Sequence, residues 1–175
     1  MKVRWQVFPK YLSASAHQIQ VIEIFDVNFK VLGTPENGLK SNEVLSIVCP
    51  GLELIGYQVE GVVKVVRPVL FGESGKITKS YNVDGWDDRS GTVLEVEAGQ
   101  TIENNRFALD IFKACSIQSA RNLILAVPAS YHPERLRNSN KPPKKPFDDV
   151  IKHVDSLYSS NRMELPLDSI LVIGY

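Results

Sequence analysis

The sequence predicts a single α/β domain in which a mixed β-sheet carries helices on both faces. Three observations lead there. The chain has 175 residues, 43% of them hydrophobic and 23% charged, enough to bury one core. Apolar residues recur at helical spacing in long stretches on either side of valine-rich runs bounded by turn residues. Finally, Leu123-Ile124-Leu125-Ala126-Val127 is apolar without a break, which suits a strand covered on both faces.

Taken in order, Ile19, Ile22, Phe25, Phe29 and Leu32 predict an amphipathic helix from Ser13 to about Leu32, capped by Ser13 or Ser15 and ended by Gly33. A turn over 33–38 leads to a short helix from Asn42 to Val48, stopped by Pro50-Gly51. Val59 to Phe71 has strand composition, and Pro68 predicts an edge or a bulge within it. Gly72-Glu73-Ser74-Gly75 makes a turn into a second strand, Ile77 to Trp86. Residues 87–91 make the next turn into a third, Thr92 to Ala98, so that the three form a meander. Phe107, Ile111, Ala114 and Cys115 predict a helix from Glu103 to Ile117. A strand over Asn122–Val127, a Pro- and Lys/Arg-rich loop over about 133–146, a helix from Phe147 to Tyr158 and a closing strand, Ser169 to Ile173, complete the chain. The third strand, the helix after it and the next strand make a crossover, which places the third strand centrally in the sheet.

Composition narrows the function. Twenty Lys+Arg against 20 Asp+Glu leave no net charge, which argues against a polybasic partner-binder but is compatible with an enzyme that grips nucleic acid locally. No apolar run approaches the roughly 18 residues of a membrane helix. The charged start, Met1 to Gln6, lacks the apolar stretch of a secretory leader. Cys49 and Cys115 lie far apart without a CxxC pattern. A reducing, cytoplasmic compartment with no membrane partner is the expectation.

The informative stretch runs from Asn82 to Gly99. Side chains on a strand alternate between faces, so Glu95 and Glu97 point one way while Leu94 and Val96 point the other. A turn centred between Arg89 and Ser90 sets Asp84 directly opposite Glu95, with Cβ atoms about 5 Å apart. Three carboxylates then converge on one face. Like charges so placed repel, and the repulsion is relieved by a raised pKa or by a hard cation. Mg²⁺ takes oxygen ligands and, once bound, activates water against a phosphodiester. The plain alternative is that the three acids form the solvated face of a meander. A central strand in a two-sided domain, however, has little reason to expose two glutamates unless a cleft opens there.

Asp84 and Glu95-Val96-Glu97, on the second and third strands of an α-β-β-β-α-β core, resemble the motif of the PD-(D/E)xK nuclease superfamily over roughly 13–127. Val83 replaces the usual proline before the aspartate, and Glu97 replaces the usual lysine. The latter is similar to the variant in type II restriction endonucleases of the BamHI and BglII kind. The resemblance implies a restriction-endonuclease-like fold and a Mg²⁺-dependent endonuclease, with Mn²⁺ as the alternative cation. It implies Asp84 and Glu95 as metal ligands, Glu97 as the group that holds or deprotonates the attacking water, and a further acid from an early helix, Glu23 or else Glu43. Double-stranded DNA is the implied substrate and a homodimer the implied assembly, since cutting both strands of a palindrome calls for two related sites.

Flanking residues offer DNA contacts. Gln100, Asn104 and Arg106 follow the glutamates at the start of the next helix, where Thr101 or Asn104 could equally serve as its cap. Arg135, Arg137, Lys141, Lys144 and Lys145 lie in a loop stretch without an acid, suited to a DNA backbone or simply to solvent. Gly72 to Thr78 imitates a phosphate-binding loop but has the wrong spacing and leads into a strand. His17, His132 and His153 lack the spacing of a zinc site, and no GxSxG elbow is present. Three other readings compete: a structure-specific repair or recombination nuclease, an inactive DNA- or protein-binding module on the same fold, and a glycoside hydrolase. The last is disfavoured because Glu95 and Glu97 lie on the same side of one strand instead of flanking a scissile bond.

Overall fold

A computed structural model describes residues 2–33, 38–98, 105–132, 142–160 and 162–175. Its elements are β1 (Arg4–Phe8), α1 (Ala16–Val27), α2 (Phe29–Leu32), α3 (Ser41–Leu54), β2 (Gln58–Val59), β3 (Val65–Phe71), β4 (Ile77–Val83), β5 (Gly85–Asp87), β6 (Thr92–Val96), α4 (Arg106–Ser116), β7 (Asn122–Val127), α5 (Pro146–Ser159) and β8 (Ser169–Gly174). Six strands form one mixed sheet in the order β1-β8-β7-β6-β5-β2, and β3 pairs with β4 in a separate ribbon. β6, β7 and β8 run parallel, whereas β1, β5 and β2 are antiparallel to their neighbours.

Alternation across the central strands builds two cores. Val93, Leu123, Leu125, Val127, Ile170 and Val172 face α4 and α5. Leu94, Val96, Ile124, Ala126, Leu171 and Ile173 face α1 and α3. β7 and β8 are buried along almost their whole length, as the unbroken apolar run of β7 requires. The expectation of a mixed sheet with helices on both faces therefore holds.

Several boundaries differ, each for a local reason. The amino-terminal β1 was not expected, although Val3, Trp5 and Val7 alternate with Arg4 and Gln6; it pairs with β8 through a five-residue register and buries Val7 and Phe8. Ser15 and not Ser13 caps α1, accepting from the Gln18 amide. The expected single helix breaks at Asn28, whose side-chain amide donates to the Ile24 carbonyl. α3 runs through Pro50 to Leu54 instead of stopping before it. Pro50 and Ser46, the residue whose carbonyl loses its partner, both lie on the solvent side of that helix, while Val48 and Leu52 anchor the other side in the core.

The expected meander also divides. Its first strand splits into β2, in the main sheet, and β3, in the ribbon. The second splits at Asp84 into β4 and β5. The ribbon is irregular between Pro68 and Leu70, the bulge the proline predicted. Glu73–Gly75 forms a single tight turn between β3 and β4, so the Gly72–Thr78 segment is a hairpin and not a phosphate loop. Cys49 and Cys115 are free thiols. Among the described residues no helix is long and apolar enough to cross a membrane.

The β5–β6 hairpin holds its register through its turn. Asp87, almost wholly buried, accepts from the Ser90 amide at 3.1 Å and the Ser90 hydroxyl at 2.6 Å. Gly91 follows with φ of +62°, and a Cβ there would stand 2.6 Å from the Ser119 carbonyl oxygen. The Gly91 carbonyl in turn accepts from the Arg121 and Asn122 amides at the start of β7. Replacing Gly91 by alanine should therefore cost about 2–3 kcal/mol, from left-handed strain and displacement of that contact. Urea unfolding of Gly91→Ala checks this, and wild-type stability would contradict it.

Candidate active site

Asp84 sits at the joint where the chain leaves the ribbon and enters the main sheet. Pairing of Gly85 with Leu94 and Trp86 with Val93 continues the register to Asp84 opposite Glu95, as the turn position predicted. Asp84 is fixed there by backbone: its Oδ2 accepts from the Val96 amide at 2.7 Å, and its carbonyl accepts from the Glu60 amide. Trp86 packs beside this joint, buried, with the Arg67 guanidinium over its ring at 4.2 Å.

Glu95 lies on the α4 side of β6 and is only 4% exposed. It meets two residues that the motif does not contain. Asp110, 2% exposed, and Lys113 both project from α4; the Lys113 ammonium donates to Asp110 Oδ1 at 2.8 Å and to Glu95 Oε1 at 3.3 Å. Glu97 follows at the end of the strand, its amide bound to the Ala126 carbonyl and its own carbonyl accepting from the Tyr175 hydroxyl at 2.6 Å. Its carboxylate stands 3.9 Å from the Arg106 guanidinium, too far for a hydrogen bond. Two buried carboxyl oxygens, Glu97 Oε2 and Asp110 Oδ2, have no hydrogen-bond partner. The two carboxyls lie close enough for the Asp110 charge to bear on Glu97.

The electrostatics follow from that crowding. Burial, then the Asp110 and Asp84 charges, push the Glu95 carboxyl well above the ordinary range, against the pull of Lys113. Burial raises Glu97 to about 7, with Asp110 adding to the shift and Arg106 opposing it. Asp84 rises to about 6, again mainly through burial, although the Val96 amide works the other way. Asp110 is raised by burial despite its bond to Lys113. Burial alone would lower the Lys113 pKa, but Glu95 and Asp110 outweigh it and hold the ammonium charged. Four carboxyls thus face two cations, Lys113 and Arg106, and with their affinity for protons raised, a bound divalent cation would displace protons from them.

The other candidates fall elsewhere. Glu23 is exposed on α1, whose buried side packs with Leu94 and Val96, on the opposite face of β6 from Glu95. Glu43 is exposed in the first turn of α3 and accepts from the Lys40 amide at 2.7 Å, a capping role. Arg106 begins α4 beside Glu97 with its side chain 52% exposed. Lys144 pairs through its backbone with Tyr131. Lys145 precedes α5 and lines a cavity of about 750 Å³ with Arg4, Trp5 and Asp148, by the β1 edge of the sheet. Gln100, Asn104, Arg135, Arg137 and Lys141, like the alternative cap Thr101, lie outside the described residues.

Asp110 and Lys113 are the residues that motif reasoning missed. Their signal was in the helical period: Asp110 falls on the apolar stripe with Phe107, Ile111 and Ala114, where an acid must be partnered. Lys113, three residues on, is the partner that position calls for.

All donors of the cluster are carboxylate oxygens, the hard ligands Mg²⁺ prefers, and two of them are orphaned, so the residues present suit such an ion. Among the described residues no three His, Cys, Asp or Glu side chains are already grouped to hold one. No family model, no curated protein and no solved structure matches this chain.

A raised carboxyl pKa binds protons in the folded state that the unfolded chain has released, so stability falls as pH climbs from the unfolded toward the folded value. In chelator-containing buffer, stability should decline by roughly 1–2 kcal/mol between pH 4.5 and 7 on account of Glu97, whose partial exposure screens the effect. Glu97→Gln should flatten that part of the profile, as followed by urea unfolding across pH. An equal slope in both proteins would show that Glu97 is not so perturbed.

Proposed function

We propose that this protein is a divalent-metal-dependent endodeoxyribonuclease built on a restriction-endonuclease-like fold. The observation that carries the reading is the pairing register, which brings Asp84 beside Glu95 and Glu97 on a central strand of a sheet ordered β2-β5-β6-β7-β8. Support also comes from the burial of these acids. A solvated meander face would leave Glu95 exposed, yet it lies under α4 with its charge only partly compensated.

In this reading Asp84 and Glu95, with Asp110 beside them, hold a cation such as Mg²⁺ or Mn²⁺, which when bound polarises a phosphodiester and makes water more acidic. Each remaining task falls to a named atom. Glu97 Oε2, buried and without a donor, takes the proton of the attacking water, and a pKa of about 7 suits that transfer near neutral pH. Arg106, half in solvent at the rim, is free to turn toward a phosphate oxygen. Lys113 keeps a positive charge beside Glu95, although Glu97 occupies the motif position where lysine is usual. Duplex DNA is the substrate, and a homodimer supplies the two related sites that a double-strand cut needs.

The test is cleavage of plasmid and linear duplex DNA with Mg²⁺ or Mn²⁺, with EDTA, and by Glu95→Gln. The expected result is cleavage that EDTA abolishes and that the substitution reduces by at least about 100-fold. Discrete fragments identify a sequence-specific restriction enzyme, and cutting confined to branched or damaged DNA a structure-specific one. Intact DNA under every cation, or equal cutting by Glu95→Gln, contradicts the proposal.

A further inference from the structure

Lys113 is a cation already seated among the acids that would hold a metal. Its side chain is only 19% exposed, and both of its acceptors, Glu95 and Asp110, are 5% exposed or less. This is no surface ion pair, whose worth would be small. At 2.8 Å from Asp110 and 3.3 Å from Glu95, the ammonium takes up one oxygen of each carboxylate. The second oxygen of Asp110 stays unpartnered, and so does Oε2 of Glu97. The arrangement satisfies the ammonium and leaves two buried carboxyl oxygens without a partner.

A divalent cation bound to Glu95 and Asp110 at the roughly 2.1 Å typical of Mg²⁺ would lie within a few ångströms of the ammonium, where the two positive charges repel. The four-carbon stem of a lysine can swing a compact charge aside, and the Lys113 side chain is 19% exposed, so it is not sealed from solvent. We infer that Lys113 and a divalent cation are competing counter-ions for Glu95 and Asp110, so that Lys113 sets the metal affinity of the site. Lysine then acts as a positioning residue: it holds the buried acids in place and yields Glu95 when the metal arrives. The inference rests on the metal-dependent reading of the site.

Calorimetric titration of the full chain with Mn²⁺ tests it, with thermal unfolding as a parallel readout. Lys113→Met should bind Mn²⁺ about tenfold more tightly than wild type. It should also melt lower in EDTA and gain more from added Mn²⁺, because the metal replaces the lost counter-ion. Wild-type binding with unchanged or weaker affinity in Lys113→Met overturns the inference and leaves the metal-dependent reading standing. Binding by neither protein overturns both. Should Lys113→Met fail to fold, ¹⁵N-lysine-labelled wild type gives the answer directly. The protected ammonium signal of Lys113 should collapse as Mg²⁺ saturates the site, and its persistence at saturation overturns the inference.

Discussion

The strand β6 is covered on both faces, and that constraint governs everything around it. Leu94 and Val96 point into the layer beneath α1 and α3, where apolar side chains close over them. By the same alternation Glu95 must point into the layer beneath α4. A glutamate so placed has no water to turn to, and its charge has to be met by protein. Helix α4 meets it with Lys113 but brings Asp110 as well, and the strand end adds Glu97. The outcome is a sheet whose middle is apolar and beside which buried carboxyls crowd together, an arrangement costly to fold around.

Position within the fold gives that charge a direction. At the joint at Asp84, where the ribbon of β3 and β4 gives way to the main sheet, a side chain from beside the neighbouring strand enters the cluster. The Val96 amide locks it there, so Asp84 and Glu95 move together with the hairpin and not as independent loop residues. At the far end of the same hairpin Asp87, Ser90 and Gly91 hold the turn that fixes the register. The pairing that brings the acids together is thus secured some distance from them, by groups with no part in their chemistry.

Much of this was legible in the residues. The unbroken apolar run at 123–127, the glycine and aspartate turn at 87–91 and the Glu-Val-Glu alternation determine a central strand, a hairpin register and a pair of acids on one face. Those are local signals, and local physics honours them. β1 was missed although Val3, Trp5 and Val7 alternate with Arg4 and Gln6, because the run is short and its pairing depends on β8, 162 to 170 residues away. The passage of α3 through Pro50 was hidden for a similar reason, since propensity favoured a stop and core packing of Leu52 overrode it. Asp110 and Lys113 lay in plain view on an apolar helical stripe, but only contact with β6 reveals what they partner.

The most direct test of the central claim, that buried carboxyls on and beside β6 share an uncompensated charge that a divalent cation relieves, is carboxyl-¹³C NMR of Asp84, Glu95 and Glu97 through a pH titration with and without Mg²⁺. Without the cation all three should titrate well above the ordinary carboxylate range. With it, Asp84 and Glu95 should remain ionised down to low pH. Three carboxyls titrating at ordinary values, indifferent to Mg²⁺, would show that these acids form no such cluster.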